Sequence, residues 1–350
     1  MTVRLGVVGV GWWATFNHIP TVQADARATV SALADPDAGR LKFVGDRFGV
    51  AARYADFRQM LAQEQLDGVI VASPHVAHAE AAVAALEAGK HVLVEKPMVT
   101  TVADARAVVA AAKKASRQVM VPCGWNFKDY TDIGARMITE GRIGEVRHVV
   151  CQMASALTDL FAGEPMSDTA THLIRPAAST WADPQRSGGY GWGQMSHSLA
   201  WIYRVTGLAP QSVYCMSGKS PTGVDYYDAA AVRMTNGATM ALSGASTVPK
   251  HCGFQMDIRI FGSEGILLFD IERERLELHR HDGRDEVVPL APGSGAYQGE
   301  LPVARFIALC AGEAVVNPAD AENGARVVET LDALYRSIAS GEAAAVETAS

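Results

Sequence analysis

The chain has 350 residues, of which 49% are hydrophobic and 20% charged, and its formal net charge at pH 7 is −7. This composition is typical of a folded globular protein and excludes a disordered chain, while the negative charge argues against a general nucleic-acid binder. No apolar run reaches the roughly 20 residues that cross a bilayer, and the apolar N-terminus is too short and glycine-rich for a signal peptide. We therefore expect a cytoplasmic protein with no membrane or nucleic-acid partner.

The length and the cysteines bound the architecture further. A chain of this length exceeds what one hydrophobic core usually spans, so we expect two domains, 1–122 and 123–350. The five cysteines, at positions 123, 151, 215, 252 and 310, are odd in number and have no C-x-x-C spacing. We predict reduced thiols, with neither a disulfide framework nor a metal site.

The first predicted strand, Val3–Val8, runs directly into a glycine-rich turn. Residues 9–14 read G-V-G-W-W-A and fit the dinucleotide pattern G-x-G-x-x-(G/A), with a helix expected after them. The first glycine permits the tight turn, the second lets the backbone approach a pyrophosphate, and the small alanine lets the helix pack closely. Phosphates would then meet the free amides at the helix N-terminus. The predicted cofactor contacts here are Gly9, Gly11, Trp12 and Trp13.

The second predicted strand, Thr29–Ala34, ends at Asp35. An acid at this position can accept a hydrogen bond from the adenosine ribose 2′-OH and would repel a 2′-phosphate. NAD is therefore the favoured cofactor. NADP stays open as the less favoured one, because Arg40 lies on the following segment and can reach a phosphate.

The rest of the first domain alternates strand and helix. This alternation predicts a parallel, doubly wound sheet of the Rossmann type. The strands are predicted at Gly68–Ala72, His91–Val94 and Gln118–Val121, and the helices at Ala77–Ala88, which ends at Gly89, and Val102–Ser116.

Two loops follow strands of this sheet and carry polar side chains. Because ligands of open parallel sheets bind beyond the carboxyl ends of the strands, we expect both loops to face the cofactor crevice. The residues concerned are Ser73, Pro74, His75, His78, Glu95, Lys96 and Pro97. An ammonium at Lys96 can donate to a substrate oxygen and stabilise negative charge there. His75 and His78 can share a helix face, but no acidic or cysteine partner lies near enough in sequence to suggest a metal.

After Pro122 the pattern changes to longer strands joined by hairpin turns. A helix is predicted around Tyr130–Glu140, and Asn236-Gly237 predicts a hairpin between Ala229–Met234 and Thr239–Ser243. Two further hairpins are predicted at Gly262–Gly265 and Asp282-Gly283, and a final helix at Asp320–Ser340. The sequence therefore predicts a second α/β domain built on an open, mostly antiparallel sheet.

A glycine-rich segment, residues 188–193, leads to His197 near the start of an apolar helix. The alternative is that His197 is an ordinary buried histidine of the core. The glycines before it let a ligand come close to the backbone, which favours a functional role. A histidine there can accept a hydroxyl proton while hydride leaves the same carbon. The predicted substrate contacts are Trp125, Asn126, Arg175, Tyr190, Trp192, Gln194 and His197.

Taken in chain order, these motifs resemble those of the Gfo/Idh/MocA family, named for glucose-fructose oxidoreductase, inositol dehydrogenase and rhizopine catabolism. The resemblance rests on the glycine turn, Asp35, S-P-H-x-x-H at residues 73–78, A-G-K-H-V-x-x-E-K-P at 88–97, and the segment leading to His197. It implies a Rossmann domain followed by an α/β domain whose open sheet often forms a dimer or tetramer interface. It also implies that Lys96 is catalytic or orients the substrate, that His197 transfers the proton and that Asp35 selects NAD.

One position departs from the family pattern, which commonly has an acid four residues before the histidine. Here that position is Gly193. Tyr190, Asn126 and Gln194 are the candidates to replace the missing acid, and the tryptophans at 125, 181 and 192 suit stacking on a pyranose, aromatic or cyclohexadiene ring. The arginines at 175 and 186 are candidates for clamping a carboxylate, with ordinary surface charge as the alternative for both.

The resemblance implies an NAD-dependent dehydrogenase that oxidises a secondary ring alcohol of a sugar, sugar derivative or cyclitol. We expect a homodimer or homotetramer. Two alternatives stay open: a cis-dihydrodiol dehydrogenase of the phthalate-dihydrodiol type, and a non-catalytic NAD(H)-sensing regulator. Retention of Lys96 and His197 argues against the regulator, which needs no proton-transfer pair.

Overall fold

The computed structural model describes residues 2–347. Its first sheet has six parallel strands in the order β3-β2-β1-β4-β5-β6, which is the strand order of dinucleotide-binding Rossmann domains. The strands are β1 (Val3–Val8), β2 (Ala28–Ala34), β3 (Ala52–Tyr54), β4 (Gly68–Val71), β5 (His91–Val94) and β6 (Val119–Met120). The predicted doubly wound parallel sheet is therefore confirmed.

One strand was missed in the sequence. Strand β3 has only three residues, all partly exposed, at the edge of the sheet beside β2, and so short a run carries no clear alternation. The loop at residues 73–75 consequently follows the fourth strand, and the one at 95–97 follows the fifth.

The helices predicted at 77–88, 102–116, 130–140 and 320–340 are present to within a few residues, whereas α2, α3, α7, α8 and α10 were not predicted. Local capping explains where the predicted helices end. Thr101 accepts from the amide of Asp104 at the start of α5. Gly89 ends α4 with a φ of 74°, and its amide donates to the carbonyl of Leu86. The helices are α1 (Ile19–Ala24), α2 (Ala38–Phe48), α3 (Phe57–Gln63), α4 (His78–Glu87), α5 (Val102–Ala115), α6 (Asp129–Thr139), α7 (Thr158–Phe161), α8 (Ala178–Trp181), α9 (Ser196–Thr206), α10 (Glu300–Cys310) and α11 (Ala321–Ser340).

The second sheet has nine strands within residues 2–347, in the order β14-β13-β12-β11-β7-β10-β9-β8-β15. All neighbours are antiparallel except β7 and β10, so the predicted mostly antiparallel sheet is confirmed. All three predicted hairpins are present. The strands are β7 (Val146–Ala154), β8 (Pro210–Lys219), β9 (Asp225–Met234), β10 (Thr239–Ala245), β11 (Gln255–Gly262), β12 (Gly265–Asp270), β13 (Arg275–Arg280), β14 (Glu286–Val288) and β15 (Ala344–Ala345).

Helix α10 comes late in the chain but packs against the first sheet. Its residues Val303, Phe306 and Ile307 are fully buried in a cluster with side chains of β1, β4 and β5. Helices α9 and α11 pack together beside the second sheet, where they contact β7 and β8. Both sheets are thus brought together around the cleft that holds the candidate site.

The second sheet also carries large exposed hydrophobic side chains. Tyr214, Met216 and Tyr227, on β8 and β9, are 40%, 61% and 49% exposed. Burial alternates with exposure along β9, as expected for a strand with one face in the core.

Candidate active site

A cavity of about 600 Å³ lies beyond the carboxyl ends of β1, β4 and β5. Residues that follow position 122 in the chain close it from the other side. Most of the site residues predicted from sequence line it. They are Gly9, Gly11, Trp12, Trp13, Asp35, Arg40, Ser73, Pro74, His75, His78, Glu95, Lys96, Trp125, Arg175, Gln194 and His197.

Three predicted substrate contacts, Asn126, Tyr190 and Trp192, are not among the residues that line the cavity. Asn126 is buried, and its amide donates to main-chain carbonyls of α9 and of residue 318. Tyr190 is fully buried and donates its hydroxyl to a carbonyl of β7. Trp192 stacks on Tyr335 with ring centroids 5.4 Å apart. Each of the three side chains therefore packs behind the cavity wall, where it joins elements that follow position 122 in the chain.

The glycine turn leaves space for a ligand at the start of a helix. Gly9 has a φ of 83°, and a Cβ there would lie 2.5 Å from the amide nitrogen of Ser73. A Cβ on Gly11 would meet no heavy atom of the described residues within 4 Å. The helix begins at Trp12 and passes through a π-helical turn, Ala14–His18, so the amides of its first turn lack intrahelical partners. These features fit a dinucleotide pyrophosphate.

The Asp35 carboxylate lies at the end of β2 and is almost fully buried. It accepts from the amides of Val10 (3.0 Å) and Asp37 (2.9 Å). Arg40 donates to both of its oxygens, at 3.1 and 2.7 Å, and this pairing raises the Arg40 pKa. The positive charge of the Arg40 guanidinium is therefore paired with the carboxylate of Asp35, the acid that the sequence analysis assigns to the ribose.

His78 ties together the two loops that follow β4 and β5. Its ring nitrogens lie 2.8 Å from the carbonyl oxygen of Ser73 and 2.9 Å from that of Pro97. Pro97 thus supports the site through its carbonyl and does not itself line the cavity. Next to it, Glu95 lies 2.9 Å from a ring nitrogen of His18. These contacts fix the loop that carries Lys96.

His75 lies against the lid described below. Its Nδ1 is 3.1 Å from the carbonyl oxygen of Ser187, and its ring meets that of Trp181 edge-on. Burial lowers the His75 pKa to about 3. Within residues 2–347, no group of three or more His, Cys, Asp or Glu side chains is arranged to hold a metal ion.

The ammonium of Lys96 faces the cavity between a carbonyl and an indole. Its Nζ donates to the main-chain oxygen of Gly193 at 2.6 Å and lies 5.1 Å from the ring centroid of Trp181. Burial lowers the Lys96 pKa, while the neighbouring carboxylate of Glu95 opposes this shift. The charge is thus buried beside a neutral hydrogen-bond acceptor.

His197 lies at the start of α9, edge-on to the rings of Trp125 and Tyr297, at 5.4 Å from each. It is 4% exposed, and its Nδ1 has no hydrogen-bond partner within the described part of the chain. Burial first, and the charge of Lys96 second, hold its pKa well below 6.5. The imidazole is therefore neutral at neutral pH and able to accept a proton.

At Gly193, aromatic rings fill the space that a side chain would need. A Cβ there would lie 3.1 Å from the ring of Phe161 and 3.2 Å from that of Trp181. Of the three residues proposed to replace an acid here, only Gln194 lines the cavity. Its Oε1 is buried and makes no hydrogen bond to residues 2–347.

Helix α9 and the turn before it are held from behind by a buried cluster. The amide of Gly191 donates to Asp225 at 2.7 Å, and the hydroxyl of Tyr335 donates to the same carboxylate at 2.8 Å. Burial, and after it the charge of Asp225, raise the pKa of Asp228 far above its usual range. The cluster fixes the π-helical turn Gly191–Met195, which precedes His197.

The segment 157–181, here called the lid, covers the cavity and was not predicted as such. The indole N–H of Trp12 donates to Nδ1 of His172 at 2.8 Å, and Phe16 stacks on the same imidazole at 4.1 Å. Phe254 and Tyr297 also line the cavity without having been predicted. They are single aromatic residues far from any motif, so the sequence carried no signal for them. Arg175 lines the cavity from the lid, whereas Arg186 is not among its lining residues.

Comparison with protein families places both parts of the chain in one group. Residues 3–122 match the model of an oxidoreductase family with an NAD-binding Rossmann fold, and residues 135–268 match the GFO/IDH/MocA C-terminal domain. Together these matches span more than two thirds of the chain.

Individual proteins of similar sequence include dehydrogenases, in agreement with the family matches. A D-apiose dehydrogenase of Paraburkholderia graminis is 27% identical over 290 residues, which cover 79% of this chain and 70% of the relative. A 1-carboxy-3-chloro-3,4-dihydroxycyclohexa-1,5-diene dehydrogenase of Comamonas testosteroni is 32% identical over 197 residues, covering 56% of this chain and 46% of the relative. This second match spans about half of that relative's length.

Two solved structures share the fold over the whole chain. An oxidoreductase domain protein from Kribbella flavida superposes with a TM-score of 0.80 at 22% identity, covering 99% of this chain and 100% of that one. A levoglucosan dehydrogenase in complex with NADH gives 0.78 at 20% identity, with the same coverage. Among residues 2–347, no helix has the length and apolar character to span a membrane.

The two family matches show that the chain belongs to the Gfo/Idh/MocA family of oxidoreductases, and that its N-terminal domain is an NAD-binding Rossmann domain.

Proposed function

We propose that this oxidoreductase uses NAD to oxidise a secondary alcohol on a ring. The observation that carries the proposal is that Lys96 and His197, 101 positions apart in the chain, line the same cavity as the dinucleotide turn. Alcohol oxidation requires a hydride acceptor and a proton acceptor, and a nearby positive charge stabilises the developing alkoxide. A bound NAD, the neutral His197 and the ammonium of Lys96 can fill these three roles.

Residues of the chain can accept the proton of the substrate hydroxyl and stabilise the negative charge that develops on its oxygen. NAD, when bound, accepts the hydride. A ring nitrogen of His197 accepts the hydroxyl proton, which its lowered pKa permits at neutral pH because the imidazole is unprotonated. Lys96 Nζ donates to the substrate oxygen and stabilises the negative charge that develops as the proton leaves. One of its three N–H groups is engaged by Gly193, so two remain for the substrate.

The lid and the aromatic walls exclude water from this chemistry. The hydrogen bond between Trp12 and His172 joins the glycine turn to the lid. The buried Trp125 flanks the imidazole of His197. A dry site strengthens the electrostatic contribution of the ammonium.

The names of relatives support a ring alcohol as substrate, since they include D-apiose dehydrogenase and an inositol 2-dehydrogenase of Saccharopolyspora erythraea that is 35% identical over 179 residues. The Comamonas relative acts, by its name, on a carboxylated cyclohexadiene diol. Both a sugar or cyclitol and a cis-dihydrodiol therefore belong to the proposed class. A non-catalytic NAD(H) sensor would have no use for the proton-transfer pair.

We also propose that the exposed face of the second sheet forms a homodimer or homotetramer. Tyr214, Met216 and Tyr227 project from it, and exposed aromatic and methionine side chains are enriched at interfaces. Analytical ultracentrifugation of wild type and of Met216→Glu tests this. A wild-type monomer at micromolar concentration would refute it.

The test of the proposed reaction is NADH formation at 340 nm, with NAD offered together with cyclitols, aldoses, anhydrosugars and cis-dihydrodiols. We expect turnover of a ring alcohol and a loss of roughly 10²- to 10⁴-fold in kcat for His197→Asn, with NADH affinity retained. His251→Asn, at an exposed histidine, is the matched control. Tight NADH binding without turnover of any member of the panel would favour the sensor.

A further inference from the structure

The imidazole of His75 joins the loop after β4 to a distant part of the chain. Its Nδ1 lies 3.1 Å from the carbonyl oxygen of Ser187, a residue that comes after the lid. The ring of Trp181, at the end of the lid, meets the imidazole edge-on with the centroids 5.1 Å apart. Because His75 is also buried, these contacts fix the orientation of its ring.

The partner of Nδ1 determines which ring nitrogen carries the proton. A carbonyl oxygen accepts a hydrogen bond and cannot donate one, so Nδ1 of His75 must be protonated. Burial first, and then the electrostatic effect of His78 and Lys96, lowers the His75 pKa to about 3, so the ring is neutral at neutral pH. A neutral imidazole carries a single proton, and Nε2 therefore presents a lone pair.

This lone pair opens onto the cavity. Nε2 of His75 has no hydrogen bond to residues 2–347, but it is not enclosed as the buried and unpartnered polar atoms of the site are. Since His75 lines the cavity, a molecule bound there can reach the nitrogen. The group that meets Nε2 must donate a hydrogen bond, which a hydroxyl can do and an ether, carbonyl or carboxylate oxygen cannot.

NAD and a ring alcohol both carry hydroxyls, and the surroundings of His75 favour the alcohol. Ser73, two residues earlier, packs against the glycine turn, where a Cβ on Gly9 would lie 2.5 Å from its amide nitrogen. Ser73 lines the cavity, and its buried hydroxyl has no partner in residues 2–347, so this loop offers the cofactor a polar group of its own. His75 instead contacts Trp181, the ring that also lies beside the ammonium of Lys96.

We propose that His75 determines substrate specificity, because its Nε2 accepts a hydrogen bond from a second hydroxyl of the ring whose reacting hydroxyl meets Lys96 and His197. The inference rests on the proposed function. The imidazole and Lys96 Nζ each lie 5.1 Å from the ring of Trp181, so at most about 10 Å separates them. A six-membered ring with a hydroxyl at either end can bridge this distance, since each hydrogen bond adds about 2.8 Å.

Asparagine at position 75 separates the roles of the two nitrogens. Its amide N–H can replace Nδ1 and donate to the carbonyl of Ser187, whereas no atom of asparagine reaches the place of Nε2. The contact with a remote hydroxyl exists both before and during hydride transfer, so its loss should raise KM and leave kcat unchanged. We expect His75→Asn to raise the KM of the ring alcohol by about five- to tenfold, with the KM of NAD unchanged. His251→Asn, at an exposed histidine, is the matched control.

The probes are myo-inositol, D-glucose and levoglucosan, each compared with the analogues that lack one of its hydroxyls. In wild type, the analogue without the hydroxyl that Nε2 binds should lose about five- to tenfold in kcat/KM. In His75→Asn the same analogue should match its parent compound, because the partner of that hydroxyl is already absent. A merely structural role of His75 would lower kcat for parent and analogue alike and leave their ratio at the wild-type value.

Long-range proton–nitrogen NMR of the wild-type protein reads the same contact without turnover. The spectra should show Nδ1 of His75 protonated and Nε2 unprotonated, and the Nε2 signal should shift when a probe alcohol is added to the complex with NADH. A protonated Nε2, a shift caused by NADH alone, or no shift with any probe would overturn the substrate role. Turnover of no ring alcohol would instead refute the proposed function, and the NMR result would still decide what Nε2 binds.

Discussion

Replacing Lys96 by methionine tests the assigned roles of the ammonium and the imidazole together. Methionine keeps an unbranched stem in the same space but carries no charge and donates no hydrogen bond. The substitution removes the donor to the substrate oxygen and leaves the carbonyl of Gly193 without the 2.6 Å hydrogen bond it accepts. Loss of one preorganised donor to a developing oxyanion costs about 2.7–4 kcal/mol, so kcat should fall by roughly 10²- to 10³-fold.

The pH profile gives a second, independent readout of the same variant. In wild type, the charge of Lys96 helps to hold the His197 pKa well below 6.5, so the acid limb of kcat/KM should lie well below pH 6.5. Without the charge the His197 pKa rises, and the acid limb should move to higher pH. Burial, the larger cause, remains in Lys96→Met, so the limb should stay below pH 6.5. The alkaline limb, set in wild type by the lowered Lys96 pKa, should disappear.

Both readouts come from initial rates at 340 nm, measured across the pH range, with NADH affinity followed by fluorescence. NADH affinity should change little, because the pyrophosphate site is formed by the glycine turn. Lys219→Met, at an exposed lysine of β8, is the control for loss of a positive charge. A Lys96→Met enzyme with wild-type kcat, or an acid limb that moves to lower pH, would refute the assigned roles.

Three further substitutions test the cofactor site and its support. Gly9→Ala should abolish measurable NADH binding by fluorescence, because its Cβ would lie 2.5 Å from the amide of Ser73 at a φ of 83°. Asp35→Asn should raise the ratio of kcat/KM with NADP to that with NAD by about tenfold or more, since it removes a charge that repels the 2′-phosphate and frees Arg40. Tyr335→Phe should lower kcat more than NADH affinity, because its hydroxyl supports the turn before the catalytic helix; equal losses would contradict a positioning role.

The first domain could be predicted from sequence because its signals are local. The glycine turn, Asp35 and the loop at Lys96 each follow a predicted strand, and parallel strands bring their carboxyl ends to one edge. Among its strands only β3 was missed, since three partly exposed residues carry no periodic signal. The nucleotide half of the site therefore follows from contiguous motifs.

Neighbours of the predicted site residues were harder to assign, since adjacency in sequence does not imply a shared face. Gln194 and His197 lie three residues apart on the turn that enters α9, and both line the cavity. Trp192 lies two residues before Gln194, and its ring points to Tyr335 behind the wall. The direction of a side chain around a π-helical turn depends on the turn itself, which the sequence did not indicate.

The substrate half of the site depends on contacts between distant residues. The ring of Phe161 comes from α7, whereas Tyr297 precedes α10, and no periodicity connects them. Their positions follow from packing the lid and α10 onto the two sheets, which is a property of the whole fold. Sequence reasoning located the absence of an acid at Gly193 but not the rings that replace it.

That replacement changes the electrostatics of the site as well as its shape. A carboxylate at position 193 would place a negative charge near the ammonium of Lys96, which contacts the main chain of that residue. The carbonyl of Gly193 is a neutral acceptor, so it orients the ammonium without neutralising it, and Trp181 adds a ring face that favours a cation. Glu95, the neighbouring anion, is already paired with His18. Positive charge is thus retained beside the reacting oxygen, where it both stabilises an alkoxide and keeps His197 unprotonated and ready to accept the proton.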